Sequence, residues 1–252
     1  TTILKGIKGL GFHVFTQTMA ASSYSDPLGK GGLLHAIIGT LYLILIATLI
    51  SLPLSVLTAL YLTEIKGRFA GLVRFFVQAM SGVPSIVAGL FVYAVWMIQL
   101  GNKYSNLAGA VSLAILMIPT VSRTAEEVLK LIPSDLREAG LALGATQWRT
   151  VAMIVLPAAR SGLITAVILG VARVAGETAP LLMIGMRAFI ATPPGGIVDP
   201  ATVLPVQIFL WSDEVSKGFV EKTSAAIIVL LAFLLAMNGL AIYLRNKFEK
   251  RW

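Results

Sequence analysis

Long apolar stretches separated by short polar ones dominate the chain from residue 33 onward. A membrane-spanning helix needs about 20 mostly apolar residues. Five stretches reach that length: residues 33–62, 69–100, 107–130, 151–186 and 224–244. Pro53 and Pro119 fall inside the first and third and predict kinks, and Pro157 and Pro180 add candidate bending points in the fourth. In the second, Arg74 and Gln78 suit the first half to the bilayer interface, and Ser81-Gly82-Val83-Pro84-Ser85 interrupts the helical pattern. Such a break is tolerated in a bilayer where protein or a cavity satisfies the freed backbone groups.

The remaining segments are polar. Residues 1–32 are Gly-rich and carry Lys5, Lys8 and Lys30, and they read as a periplasmic segment with at most a short helix. Residues 187–222 form a polar excursion around Pro193-Pro194-Gly195-Gly196, in which the apolar piece 204–211 is too short to span. Residues 134–148 are amphipathic and follow Pro133. The pattern predicts an all-α integral membrane protein with five spans in residues 33–252.

Composition agrees with that reading. The 252 residues are 57% hydrophobic and 13% charged, with a mean hydropathy of +0.86, whereas soluble domains carry roughly 25% charged residues. There is no cysteine, so disulfides and cysteine-ligated metal sites are excluded, and His13 and His35 are too few for a multi-histidine site. The net charge of +8 would suit nucleic acid in a soluble protein. Here Lys and Arg collect where helices leave the bilayer on the cytoplasmic side, and no nucleic-acid partner is implied.

Charge also sets orientation. Arg245, Lys247, Lys250 and Arg251 follow the last span directly and place the C-terminus in the cytoplasm. Counting back, residues 64–74 and 134–148 fall inside, while residues 101–106 and 187–222 fall outside. Lys66, Arg68, Arg74, Lys130, Arg137 and Arg149 are then internal, and Lys5, Lys8, Lys30, Lys103, Arg187, Lys217 and Lys222 external, a modest bias whose strongest part is at the C-terminus. Residue 1 comes out external, so the full protein is expected to have a sixth span before it and an internal N-terminus.

The internal stretch 133–157, PSDLREAGLALGATQWRTVAMIVLP, is the most informative. Ser134 or Asp135 can cap a short helix, with Glu138 near its first turn. Leu136, Leu143 and Trp148 offer an apolar surface, and Gly140 and Gly144 permit close approach of another surface. A short cytoplasmic helix with a bare apolar face needs a partner groove. Glu138-Ala139-Gly140, Gly144, Ile154, Leu156 and Pro157 stand at the spacings of the EAA loop, which this stretch resembles. That loop belongs to the permeases of bacterial ABC importers, and the departure is Gly140 in place of the third alanine. The resemblance implies a type I importer transmembrane domain. It makes 134–148, with Leu136, Arg137, Glu138, Ala139, Gly140, Leu143, Gly144 and Trp148, a coupling helix that docks on a separate ATPase subunit. The chain has no GxxxxGK[ST] sequence, the nearest fragment being Gly29-Lys30-Gly31. ATP and Mg are therefore expected on the partner ATPase, with no cofactor and no metal in this chain.

Arg123, Arg173 and Glu177 fall within apolar runs. An ionised side chain at the bilayer centre costs at least about 2.5–3.5 kcal/mol, so such groups are paired or line a polar path. Arg173 and Glu177 are spaced to share a helical face and pair, whereas the carboxylates nearest Arg123, Glu126 and Glu127, lie near the inner end of its span. Two readings stand: an internal ion pair with a snorkelling Arg123, or a cationic lining that meets a passing anion. Arginine's fixed fork of donors matches an inorganic oxyanion such as phosphate.

Residues 172–182 (ARVAGETAPLL), 84–93 (PSIVAGLFVY), 122–133 (SRTAEEVLKLIP) and 204–209 (LPVQIF) resemble the permeases of bacterial phosphate importers. The resemblance runs from about Gly11 to the C-terminus. It implies a multi-pass protein of the bacterial inner membrane, surrounded by lipid. It also implies pairing with a homologous C-type permease, a dimeric ATPase and a periplasmic phosphate-binding protein. Arg123, Arg173, Glu177 and Thr178 become the expected substrate pathway for inorganic phosphate. The alternatives are an importer permease for sulfate, molybdate or phosphonate, and an ATP-independent anion channel. An enzyme is disfavoured, since neither HExxH nor GxSxG occurs.

Overall fold

The computed structural model describes residues 6–7, 10–19, 31–65, 67–186, 190–214 and 217–248. Lys5, Lys8, Lys30, Lys66, Arg187, Lys250 and Arg251, part of the charge argument for orientation, lie outside the described residues, as does Gly29. The described residues form helices joined by loops, with no strand among them.

Helix α1, Leu34–Glu64, carries the first apolar stretch without interruption, Pro53 included. Its 31 residues rise about 46 Å, enough to cross a hydrocarbon core of about 30 Å. Leu41, Leu45, Leu49 and Leu57 are exposed along one side, while Ala36, Thr40, Ala47, Ser51, Ser55 and Ala59 are buried. This inverts the order in soluble helices. Lipid solvates leucine as well as protein does, so small residues go where backbones must approach closely.

The second stretch is two helices. Helix α2, Arg68–Ser81, stops at Gly82, and helix α3, Ser85–Val92, starts after Pro84 and runs into a wider π-type turn, Tyr93–Gln99. Pro84 lacks the N–H that would extend α2, and the chain bends sharply at the break. Helix α4, Asn106–Lys130, carries Pro119 inside it. Helix α5, Ser134–Ala142, is followed by helix α6, Gln147–Ala175. In α6 the segment Val151–Val155 widens into a π-type turn just before Pro157. The proline ring crowds the carbonyl four residues back, and the wider turn accommodates it.

Three expectations are corrected here. The fourth span does not run to residue 186: α6 ends at Ala175, and after Gly176, Glu177 and Thr178 a separate helix α7, Ala179–Ile184, begins. Pro180 lies in its first turn, where a missing N–H has no helical partner to lose, so it starts a helix rather than bending one. The amphipathic stretch 134–148 is not one helix, because a turn separates α5 from α6 and places Trp148 on α6. The excursion does not run to residue 222: its apolar piece is α8, Leu204–Ser212, and its last residues belong to α9, Lys217–Phe248, which carries the fifth span. Among the described residues, four helices are long and apolar enough to cross a membrane, or five if α2 and α3 count as one bent span.

The chain divides into two compact units. One comprises residues 1–47, 84–114 and 174–236. There Leu33, Ala36, Leu204, Trp211, Phe219 and Ala226 share a buried cluster with Val14 and Met19 of the N-terminal segment. A Cβ on Gly89 of α3 would lie 2.5 Å from the backbone of Pro180, so these helices meet main chain to main chain. The excursion caps α4 from outside: Asn106 and Leu107 N–H donate to the carbonyls of Asp199 and Ile197, each at 2.9 Å. Those are two of the N–H groups that a helix start leaves free. The other unit comprises residues 48–83, 115–173 and 237–252. In it Gly162 and Gly170 press α6 against α4, where added Cβ atoms would meet Val128 at 2.3 Å and Val121 at 2.5 Å.

Candidate functional site

The α5–α6 turn explains its own sequence. Gly144 has φ +81°, in the left-handed region where glycine is favoured. Gly144 N–H donates to Leu141 O at 2.9 Å, and Ala145 N–H to Gly140 O at 3.2 Å. That pair of bonds is the Schellman closure of a helix C-terminus. Thr146 then caps α6, its Oγ1 accepting from Arg149 N–H at 3.4 Å. Gly140 is buried, and a Cβ there would come within 2.9 Å of the side chains of Ile154 and Thr150. The glycine at the third position of Glu138-Ala139-Gly140 thus lets α5 lie directly on α6.

Arg137 ties α5 to two other helices. Its Nε donates to Glu64 Oε1 at 3.2 Å, at the end of α1. Its two Nη groups donate to Ile132 O at 2.8 Å and Leu129 O at 3.0 Å, at the end of α4. Both carbonyls lie where the helical ladder runs out, and Leu129 O also accepts from Ile132 N–H at 3.4 Å. Arg137 therefore faces its own chain, while Glu138 and Ala139 are exposed. Leu136, Leu143 and Trp148 are 42%, 89% and 69% exposed. Leu131 and Leu141, which amphipathic spacing did not single out, are exposed beside them in sequence.

The intramembrane charges separate. Glu177 lies beyond the end of α6, so it does not share a helical face with Arg173, and the expected pairing loses its geometric basis. Arg173 instead donates to Thr120 Oγ1 on α4 at 2.9 Å, with no ion pair to it among the described residues. Arg123, one turn along α4 from Thr120, donates a long bond of 3.4 Å to Ser81 Oγ. Arg123 and Arg173 thus address one stripe of α4. Glu177 belongs to the other compact unit and borders a small cavity there with Thr40, Leu113 and Pro205. Thr178 precedes α7 without capping it by a side-chain bond.

Past Arg123 the structure holds a network that the sequence reading did not assign to the site. Glu126, 6% exposed, accepts from Arg74 at 2.8 Å and Lys130 at 2.7 Å on the same oxygen, Oε1. Arg74 also donates to Leu62 O at 3.2 Å. The Glu126–Lys130 spacing was readable in sequence, but nothing along the chain connects either residue with Arg74. Among the described residues no group of three His, Cys, Asp or Glu could hold a metal.

The chain matches the family described as "Binding-protein-dependent transport system inner membrane component" over residues 51–251, and it belongs to that family, as a multi-pass membrane protein and a transport subunit. It is 39% identical over 241 residues to "Phosphate transport system permease protein PstA" of Haemophilus influenzae, covering 94% of this chain and 82% of that protein. It is 38% identical over 242 residues to the protein of the same name in Pasteurella multocida, covering 94% and 83%. Among solved structures, it is similar to a chain of the MetNI methionine ABC transporter in an inward-facing conformation. The TM-score is 0.68 at 19% identity, over 87% of this chain and 95% of that one, a likeness of fold.

Proposed function

We propose that the chain is the permease subunit of an ATP-driven importer of inorganic phosphate in a bacterial inner membrane. The near full-length similarity to permeases named for phosphate transport carries the cargo. One structural observation carries the mechanism: the glycine-closed helix α5 is bonded through Arg137 to the ends of α1 and α4. A force on the exposed Leu136, Leu143 and Trp148 reaches both spans through those bonds.

The partners in this reading are a homologous C-type permease, an ATPase dimer that holds ATP and Mg, a periplasmic phosphate-binding protein and the surrounding lipid. The α5 turn and the C-terminus face the cytoplasm. The binding protein delivers phosphate to the outer loops, including residues 190–214. Closure of the ATPase dimer pushes α5, and the spans change the side to which the pathway is open. Arg173 and Arg123 attract the anion along α4. No bond in the cargo is made or broken in this chain.

Reconstitution tests the reading. The subunit is purified with its companions, placed in vesicles and supplied with ATP and labelled phosphate. Uptake that requires both ATP and the binding protein is expected. Uptake of sulfate or molybdate in place of phosphate would overturn the cargo, and nucleotide-independent flux would overturn the class.

A further inference from the structure

Beyond Arg123, toward the α5 end of α4, a cavity of about 130 Å³ is lined by Arg74, Gln78, Arg123, Glu126, Glu127 and Lys130. Three cations face two carboxylates there, so the cavity keeps a net positive charge. Glu126 is buried and holds Arg74 and Lys130 through one oxygen. The cations retain donors: Arg74 Nη1 makes no bond among the described residues, and Arg123 has only its long bond to Ser81. Glu127 is exposed and makes no ion pair or hydrogen bond among the described residues.

The cavity continues a line of charges. Thr120, Arg123, Glu127 and Lys130 follow at helical spacing on one stripe of α4, and Arg173 meets that stripe at Thr120. Successive turns lie about 5.4 Å apart. An anion leaving Arg173 therefore reaches Arg123 within one turn, and the cavity comes next. Arginine forks fit tetrahedral oxyanions, whereas an unpaired carboxylate beside them repels a bound anion.

We infer that this cavity is a second oxyanion site, a release station at the inner end of the pathway. Arg74, Arg123 and Lys130 supply its donors, Glu126 fixes two of those cations in place, and Glu127 keeps the affinity low enough for departure. The inference rests on the reading of the chain as an oxyanion importer whose α5 end faces inward. Its ligand is a phosphate-type oxyanion, a chemistry that a lipid headgroup shares.

Residues 1–252 hold no cysteine, so Gln78→Cys puts their single thiol at the cavity wall, with any cysteine elsewhere in the complex replaced by serine. The assembled complex is placed in phosphatidylcholine vesicles with its inner face outward, and labelling of that thiol by an uncharged reagent is timed. Inorganic phosphate at constant ionic strength is expected to slow labelling several-fold. Adding Lys130→Gln should abolish the protection, and adding Glu127→Gln should lower the phosphate concentration required several-fold. A thiol-free readout stands beside it. Back-inhibition of uptake by phosphate on the inner face should weaken in Lys130→Gln and deepen in Glu127→Gln.

No protection by any tetrahedral oxyanion, in a preparation that transports phosphate, overturns the station. Protection that appears only when phosphatidylglycerol is added to the vesicles assigns the cavity to a lipid headgroup and also overturns it. Protection and transport by sulfate instead of phosphate support the station and refute the phosphate reading.

Discussion

In the unit of residues 1–47, 84–114 and 174–236, polar side chains bond to main chain. Tyr104 donates to Ala201 O, Asn106 Nδ2 donates to Gly196 O, and Thr40 Oγ1 receives Leu204 N–H. In the unit of residues 48–83, 115–173 and 237–252, arginines and carboxylates bond to each other. Arg74–Glu126, Lys130–Glu126 and Arg137–Glu64 all lie there. Neutral bonds to backbone hold one loop in one place. Charged bonds are stronger, yet a second ion can compete for either partner. The second unit thus adds ion pairs, open to competition from another ion, to the bonds to main chain that both units use, and that contrast can be tested from the largest effect downward.

Arg173→Gln should have the largest effect. A charged hydrogen bond is worth about 1.5–3 kcal/mol, and losing its charge on the pathway should cut phosphate uptake ten- to hundredfold while the complex still co-purifies. If uptake stays normal, the arginine stripe is structural. Glu138→Lys combined with Gly144→Leu comes next. A left-handed backbone costs a residue other than glycine roughly 1–2 kcal/mol, and the altered α5 surface should leave ATP hydrolysis running with little uptake. Uptake and hydrolysis falling in proportion would dissociate α5 from coupling.

Gly170→Val probes packing rather than charge. Overfilling the contact with Val121 and Met117 should cost about 1–3 kcal/mol, read as a lower melting temperature of the purified complex. An unchanged melting temperature would show that α4 and α6 separate freely.

Tyr104 supplies the smallest effect, confined to alkaline pH. It lies in the polar turn before α4, and burial pushes its phenol well above the ordinary value of 10.0, with the Ala201 N–H pulling weakly the other way. The folded state thus holds the proton more tightly than the unfolded one. The stabilisation is complete below about pH 10 and is lost as pH rises through the folded value. Melting temperature should therefore fall above pH 10 in the parent and fall less in Tyr104→Phe. Identical slopes would remove Tyr104 from the alkaline loss.

The spans could be read along the chain because their cause is local: lipid asks every residue of a long run to be apolar. The turn at Gly144 could not, since the amphipathic spacing across residues 134–148 reads as one helix and only the structure gives Gly144 its φ of +81°. The end of α6 could not be read this way. ARVAGETAPLL lies inside a longer, mostly apolar run, and hydropathy averaged over that run does not distinguish a break satisfied by neighbouring protein from an unbroken span.

By itself, then, the sequence determined the membrane class, the approximate spans and the presence of a short amphipathic helix after Pro133, since each depends on composition or on neighbours within a few residues. Only the tertiary structure decided which charges meet. It took Glu177 off the helical face of Arg173, set Arg173 against Thr120, and brought Arg74 to Glu126 across 52 positions. Coulomb attraction depends on distance in space, and the folded packing of α2, α4 and α6 sets that distance.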